Sequence, residues 1–260
     1  MLVAFSGGAD SAFLLAAAAR ALGAERVVAA TAVSPSLPAA ELAAAARFAD
    51  DLGVRHLHPH TDEMSRAGYR ANAGNRCYFC KAELLDVLWP VAERLGVAHV
   101  ATGTNADDAV AGFRPGIRAA AERGAVTPLL DAGLTKAQVR AASREWGLVT
   151  WDKPAAACLS SRVAFGIEIT PSRLGRIERA EAGVRQALAD DGIEVANLRV
   201  RDLGETGKLE VDRAAVPAVT ASAAVLDAVL AAGFAEAEVD PRGFRSGSMN
   251  ELLADPAKYR

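Results

Sequence analysis

Two groups of residues in this sequence have the types and spacing to do chemistry. The first is Ser6-Gly7-Gly8-Ala9-Asp10-Ser11, which follows the apolar run at residues 2–5 and precedes an alanine-rich helical segment. Glycines let a main chain come close to a phosphate. The N-terminus of a helix adds free N–H groups and the positive end of its dipole. The hydroxyls of Ser6 and Ser11 supply further donors, and Asp10 can help to hold a metal ion. The loop is neither GxxxxGK[ST], whose lysine is missing, nor GxGxxG. An ordinary serine-capped strand-to-helix turn is the bland alternative.

The second group is the three cysteines. Cys77 and Cys80 form a CxxC in Asn75-Arg76-Cys77-Tyr78-Phe79-Cys80-Lys81. On a helical turn, residues three apart face the same way. The flanking cations Arg76 and Lys81 would favour thiolate. Cys158 stands alone after three alanines, where a buried inert thiol is the simple reading. Four active readings stay open. Zinc would need a fourth ligand, which His56, His58 or His60 on one strand face could offer; otherwise these histidines are a polar strand end. A redox dithiol would use Cys77 and Cys80. An iron–sulfur cluster would use all three thiolates and leave one iron open. Lastly, Cys158 would serve as a nucleophile or sulfur donor.

The elements that must position these groups follow from the pattern of the chain. Its 260 residues are 51% hydrophobic, but alanine supplies 59 of them, which favours helices over a bulky core. The first 160 residues alternate strand and helix. Strands are expected at 2–5, 27–33, 54–59 and 97–102, and helices at 12–22, 38–52, 81–95 and 136–146. That alternation predicts an α/β fold with a doubly wound parallel sheet, its functional loops at the carboxyl ends of the strands. After Arg162 the pattern changes to a helix at 171–189, strands at 197–200 and 208–211, a helix at 217–232 and a strand at 236–240. The expected division is therefore a domain of residues 1–162 and a smaller C-terminal α+β domain of residues 163–260.

Composition excludes several classes. The net charge of −3, from 29 basic and 32 acidic residues, speaks against nonspecific binding of duplex nucleic acid. Three cysteines do not make a disulfide framework. The longest apolar stretch, at 12–24, is broken by Arg20 and Gly23, so neither a membrane span nor a signal peptide is expected. A soluble cytoplasmic protein is the expectation.

The SGGxDS order resembles the signature of the PP-loop ATP pyrophosphatases, which have an adenine nucleotide alpha hydrolase-like fold. That resemblance implies ATP bound by its pyrophosphate end and transfer of AMP to a substrate oxygen. It places Ala32, Val33 and Ser34 against adenine. Gly103-Thr104-Asn105, with Asp107 and Asp108 after it, would close over the nucleotide; the alternative for the two aspartates is helix N-terminal charge.

Across nearly its whole length the chain resembles the LarE family of ATP-dependent sulfur transferases, which act in nickel-pincer nucleotide assembly. The match takes in RCYFCK at 76–81, Arg114-Pro115-Gly116, Trp151-Asp152-Lys153-Pro154 and ACLSSR at 157–162. It continues through Arg199-Val200-Arg201, Glu210 and GFRSGSMN at 243–250. The resemblance implies adenylylation of a carboxylate of a pyridinium-dicarboxylate mononucleotide, with ATP and Mg²⁺. In the sacrificial members, the cysteine matching Cys158 gives up its own sulfur. Those members lack the CxxC, so this chain looks like the branch in which Cys77, Cys80 and Cys158 hold a [4Fe-4S] cluster that carries sulfide from a donor. Asp10 is a further metal-ligand candidate, and Glu210, on the strand beside Arg199 and Arg201, is either a partner or a metal ligand. Ser160 and Arg162 would be active-site donors, Arg199 and Arg201 would bind the substrate phosphate, and Trp151 and Lys153 would lie near the nucleotide. The family also implies homo-oligomers. Competing readings are a PP-loop tRNA thiolase, against which the near-neutral charge and the lack of an RNA-binding appendage weigh, an amide-forming synthetase, and a non-catalytic regulator.

Overall fold

The structure is a computed structural model that describes residues 1–110, 114–154, 158–245 and 247–252. Ala157, which opens the ACLSSR motif, and Ser246 of GFRSGSMN lie outside the described residues. The chain groups into two compact units, one of Met1–Tyr69 with Asn75–Ala156, the other of Arg70–Gly74 with Ala157–Lys258.

In the first unit the strands are β1 (Leu2–Ala4), β2 (Val28–Ala30), β3 (Arg55–Leu57) and β4 (Val100–Thr102). They form an all-parallel sheet in the order β3-β2-β1-β4. The helices are α1 (Ala9–Leu22), α2 (Ala39–Asp51), α3 (Ala67–Arg70), α4 (Arg76–Arg94), α5 (Ala106–Val110), α6 (Pro115–Glu122), α7 (Pro128–Asp131) and α8 (Lys136–Glu145). A strand covered on both faces must be apolar at every position, and β1 shows it. Val3 and Phe5 pack with Phe13 and Leu15 of α1, Phe48 of α2 and Val139 of α8. Leu2 and Ala4 pack with Leu85 and Leu88 of α4 and Ala120 of α6. The expected α/β fold with a doubly wound parallel sheet is the observed one.

Two departures from the expected elements bear on the site. The helix expected from Lys81 begins at Arg76, so the whole CxxC lies in its first turns. Short helices also occupy 106–110, 115–122 and 128–131, where turns and Pro residues mask the period in the sequence.

The second unit carries α9 (Pro171–Asp190), β5 (Leu198–Asp202), β6 (Thr206–Val211), α10 (Val216–Ala221), α11 (Ala223–Ala231) and β7 (Glu236–Val239). Strand β5 runs antiparallel to β6, and β7 parallel to it. The single helix expected at 217–232 is two, bent by 85°. Ser222 has an extended backbone, and its side chain accepts from the N–H of Val225 as the cap of α11. Local capping by serine competes with helix continuation. Among the described residues, no single helix is long and apolar enough to cross a membrane.

Residues Cys158 to Arg162, expected to close the first domain, group with the second unit, as do residues 70–74. The reasons are polar. Arg162 and Val200 share the Glu181 carboxylate of α9. Asn72 holds a left-handed backbone (φ 49°) and is fully buried. Its amide donates to the carbonyls of Ala164 (2.8 Å), Ile167 (3.0 Å) and Val163 (3.3 Å). Asparagine tolerates that conformation better than most residues. Asn72→Asp removes the donor and buries a charge against carbonyl oxygens, so it is expected to cost about 2–3 kcal/mol or more in urea unfolding. Asn72→Gly, which keeps the backbone geometry, should report the loss of the amide alone.

Candidate nucleotide and anion sites

At the carboxyl ends of β1, β2 and β4 lies a cavity of about 320 Å³. Its lining includes Ser6, Gly8, Asp10, Ser11, Thr31, Ala32, Leu37, Lys81, Thr102, Gly103, Thr104 and Asp108. The loop after β1 turns through Gly7 at φ 71°, with Ala45 of α2 close behind it. Gly8 is the N-cap of α1. Ser11 Oγ donates to the Gly8 carbonyl at 3.1 Å and lies 3.1 Å from Ser6 Oγ. The first-turn N–H groups of α1 thus have no helical acceptor of their own. They supply the donors an anion needs.

The second wall is the loop after β4. A Cβ on Gly103 would stand 2.8 Å from the Ser11 nitrogen, so only glycine lets the two backbones approach this closely. Asn105 is fully buried, and its Oδ1 accepts from the N–H of Asp108. Its side-chain amide stands beside the Asp10 carboxyl and favours the charged form of that group. The two aspartates divide the alternatives open in the sequence. Asp107 accepts from the N–H of Lys136 at 2.8 Å, at the start of α8. Asp108 lines the cavity and pairs with Lys136 and Arg114. Burial pushes the Asp10 carboxyl above its usual range; Lys136 opposes this and Asp108 reinforces it. A cation beside Asp10 would lower it again, which suits a metal ligand.

At the end of β2 lie Ala32, Val33 and Ser34, the residues expected against adenine, and of these Ala32 lines the cavity. The N–H of Val33 donates to the Pro59 carbonyl at 2.8 Å, and its own carbonyl accepts from Thr61 at 3.1 Å. Both main-chain groups of Val33 therefore face the β3 side. Ala32 lines the cavity, and the alternation of a parallel ladder turns its N–H and C=O the other way. Buried Glu63 accepts from the hydroxyls of Ser34, Ser36 and Thr61, which fixes the segment leading to Leu37.

Sequence reasoning missed two contributors to this cavity. Lys81 was weighed only for its effect on the thiols, yet it lines the cavity. Burial pushes its ammonium below the usual range, and the sulfur atoms of Cys80 and Cys77 oppose that. The i, i+4 spacing of Cys77 and Lys81 was the available signal. Thr31, the other, donates to the Phe5 carbonyl at 2.6 Å. Its single proton being used, Thr31 Oγ1 accepts from His56 Nε2 at 2.7 Å, and His56 Nδ1 accepts from His58 Nε2 at 3.2 Å. The histidines thus form a hydrogen-bonded chain to the cavity wall.

Cys77 is exposed and Cys80 half-buried, and neither is in a disulfide among the described residues. The aromatic residues between them are pinned. The Tyr78 hydroxyl donates to Glu122 of α6, and the ring of Phe79 occupies the space beside Gly68. Among the described residues, no three His, Cys, Asp or Glu side chains form a ready metal-binding group. The pair at the start of α4, with helix N–H groups and Lys81 to offset thiolate charge, nonetheless fits soft-metal ligation.

The second unit holds Cys158, a half-buried free thiol. Its carbonyl accepts from the N–H and hydroxyl of Ser161 and from Arg162. Ser160 is fully buried on the same short turn. Arg162 makes a two-point pair with Glu181. Arg201 makes another with Glu210 (2.9 and 2.7 Å) and also donates to the Ser161 carbonyl. Glu210 accepts from Ser248 as well. Arg199 lies over the Phe244 ring. Burial first, then repulsion from Arg162 and Arg201, pulls its guanidinium down to about 10. The three guanidinium groups are thus buried together with the carboxylates of Glu181 and Glu210.

No protein-family model matches the chain. It is 40% identical, over 97% of its length and 92% of the relative's, to an uncharacterized protein of Synechocystis sp.. It is 31% identical to the pyridinium-3,5-bisthiocarboxylic acid mononucleotide synthase of Lactiplantibacillus plantarum, over 96% of this chain and 89% of that protein.

Two outcomes test this geometry. Gly103→Ala should weaken ATP binding in calorimetry by about tenfold, or about 1.4 kcal/mol, because the added Cβ must push this loop away from the Ser11 backbone. Unchanged affinity would remove the 103–105 loop from the cavity wall. Separately, burial and His58 hold His56 at about 4, below its ordinary 6.5. The unfolded chain therefore binds more protons than the folded one between these values. Stability should be complete above pH 6.5 and fall as pH drops towards 4. His56→Gln should flatten that acid limb.

Proposed function

Since the chain belongs to the LarE family, we propose that it adenylylates a carboxylate of a pyridinium-dicarboxylate mononucleotide and replaces a carboxylate oxygen by sulfur, in nickel-pincer nucleotide assembly. The observation that supports this most directly is the cavity at the β1–α1 turn, where the main chain of the 6–11 loop, Asp10 and Lys81 converge. In the first step, a carboxylate oxygen attacks the α-phosphorus of ATP and pyrophosphate leaves. The 6–11 loop holds the pyrophosphate end, and Lys81 neutralises the charge that develops there. Asp10 would hold Mg²⁺, which offsets the phosphate charge. In the second step, a sulfur nucleophile attacks the acyl carbon and AMP departs with the C–O electron pair. Arg199 and Arg201 would take the phosphate of the mononucleotide.

Cys77, Cys80 and Cys158 are the thiols available to ligate a [4Fe-4S] cluster. When bound, a cluster held by three thiolates keeps one iron open to an exogenous sulfide. Cys158 then survives turnover. In the alternative, Cys158 itself attacks, and loss of its Cβ–S bond leaves dehydroalanine.

The test combines two measurements on anaerobically purified protein. ATP–pyrophosphate exchange should depend on the dicarboxylate mononucleotide and not on tRNA. Iron and sulfide should copurify, and replacement of any one cysteine by alanine should abolish their binding. Repeated turnover with added sulfide and an unchanged intact mass supports the cluster. A loss of about 34 Da at Cys158 in iron-free protein, one H₂S, shows the sacrificial route instead. Exchange that responds only to tRNA would overturn the substrate assignment.

A further inference from the structure

Lys153 is three residues beyond Thr150, on the loop that follows α8, and its main chain is fixed from that helix. Arg140 donates to the carbonyls of Trp151 and Lys153, both at 2.8 Å. The Lys153 ammonium reaches the phosphate loop, donating to the Gly7 carbonyl at 3.0 Å and to Glu41 of α2 at 2.7 Å. Across a planar trans peptide, the carbonyl and the following N–H point in opposite directions. Fastening the Gly7 carbonyl therefore fixes where the Gly8 N–H points. That N–H faces the Ser6 hydroxyl, and Ser6 and Gly8 both line the cavity, whereas Gly7 does not. A flipped peptide would instead present a carbonyl oxygen to an incoming phosphate and repel it. Glycine at φ 71° has no side chain to resist such a flip.

We infer that Lys153 is a positioning residue that sets the polarity of the phosphate cradle through the Gly7–Gly8 peptide. Its charge is already met by Glu41, so it acts on the loop and not as a free cation for the ligand. This inference rests on the reading of the 6–11 loop as a pyrophosphate cradle. It predicts selectivity. Ligands that use the cradle, ATP and inorganic pyrophosphate, depend on Lys153, and AMP, which lacks the β- and γ-phosphates, does not.

The experiment is calorimetric binding of ATP, pyrophosphate and AMP, with Mg²⁺, to the wild-type protein and to Lys153→Met, Lys153→Arg and Glu41→Gln. Thermal unfolding of each variant reports its fold. Lys153→Met should weaken ATP and pyrophosphate by about tenfold or more, the usual consequence of losing a charge-assisted hydrogen bond, and leave AMP nearly unchanged. Lys153→Arg, which can donate to the same carbonyl, should restore most of the loss. Wild-type protein that binds both phosphate ligands, with a Lys153→Met variant that matches it, overturns this inference alone. Equal weakening of all three ligands overturns it too, because that marks a general loss of structure. If Glu41→Gln tightens ATP, Lys153 is a direct phosphate contact and the positioning role falls. Wild-type protein that binds neither ATP nor pyrophosphate overturns the cradle reading and this inference with it.

Discussion

The constraint on which the first unit turns is a pair of close backbone approaches, at Gly7 and Gly103, around the loop proposed to receive a polyanion. The Gly103 backbone stands against the first turn of α1, and Gly7 turns the loop in a left-handed conformation with Ala45 at its back. Each contact leaves no room for a Cβ without displacement. The parallel sheet makes the arrangement durable. Strand β1 is buried on both faces, so the end of the strand that carries the loop cannot shift without disturbing two hydrophobic layers. The donors of the cradle are thus held in place before any ligand arrives, which is what lets them act on charge without a reorganisation cost.

The second unit meets the same problem of charge by a different means. It buries three guanidinium groups beside two carboxylates, which hold Arg162 and Arg201. Arg162 and Arg201 are each fixed in a two-point pair, and it is Arg199, stacked over Phe244, whose ionisation suffers. The paired arginines also reach the backbone of the Cys158 turn, Arg162 through the Cys158 carbonyl and Arg201 through that of Ser161. The two ion pairs and the placement of this turn are therefore mechanically linked within the unit.

Two features of the first unit work by removing freedom. Tyr78 and Phe79 are both tied to neighbouring helices, so the intervening residues of the CxxC cannot rotate away while the thiols stay accessible. His56 of β3 and His58 just beyond it have a comparable role. They read from the sequence as a polar strand end or a zinc ligand, and they are a hydrogen-bonded chain that ends on Thr31 at the cavity.

What the sequence determined by itself is local and repetitive. The two-sided apolar strand, the glycine-rich turn and the helix after it were legible because their period and punctuation lie within a few residues. The CxxC spacing, the Arg199 and Arg201 pair and the family motifs were legible for the same reason. What only the tertiary structure decided depends on partners far apart in the chain. Asn72 ties residues 70–74 to the second unit through carbonyls some ninety positions away. Val33 turns its main chain to β3 and leaves the cavity to Ala32, a matter of ladder phase that no composition reveals. Glu210 becomes the partner of Arg201, and Asp107 a helix cap while Asp108 lines the cavity. Lys81 and Lys153 carry the same charge, yet one enters the cavity and the other holds the back of its loop. A residue type states which interactions a side chain can make, and the fold chooses among them by bringing one partner within hydrogen-bond reach and excluding the rest.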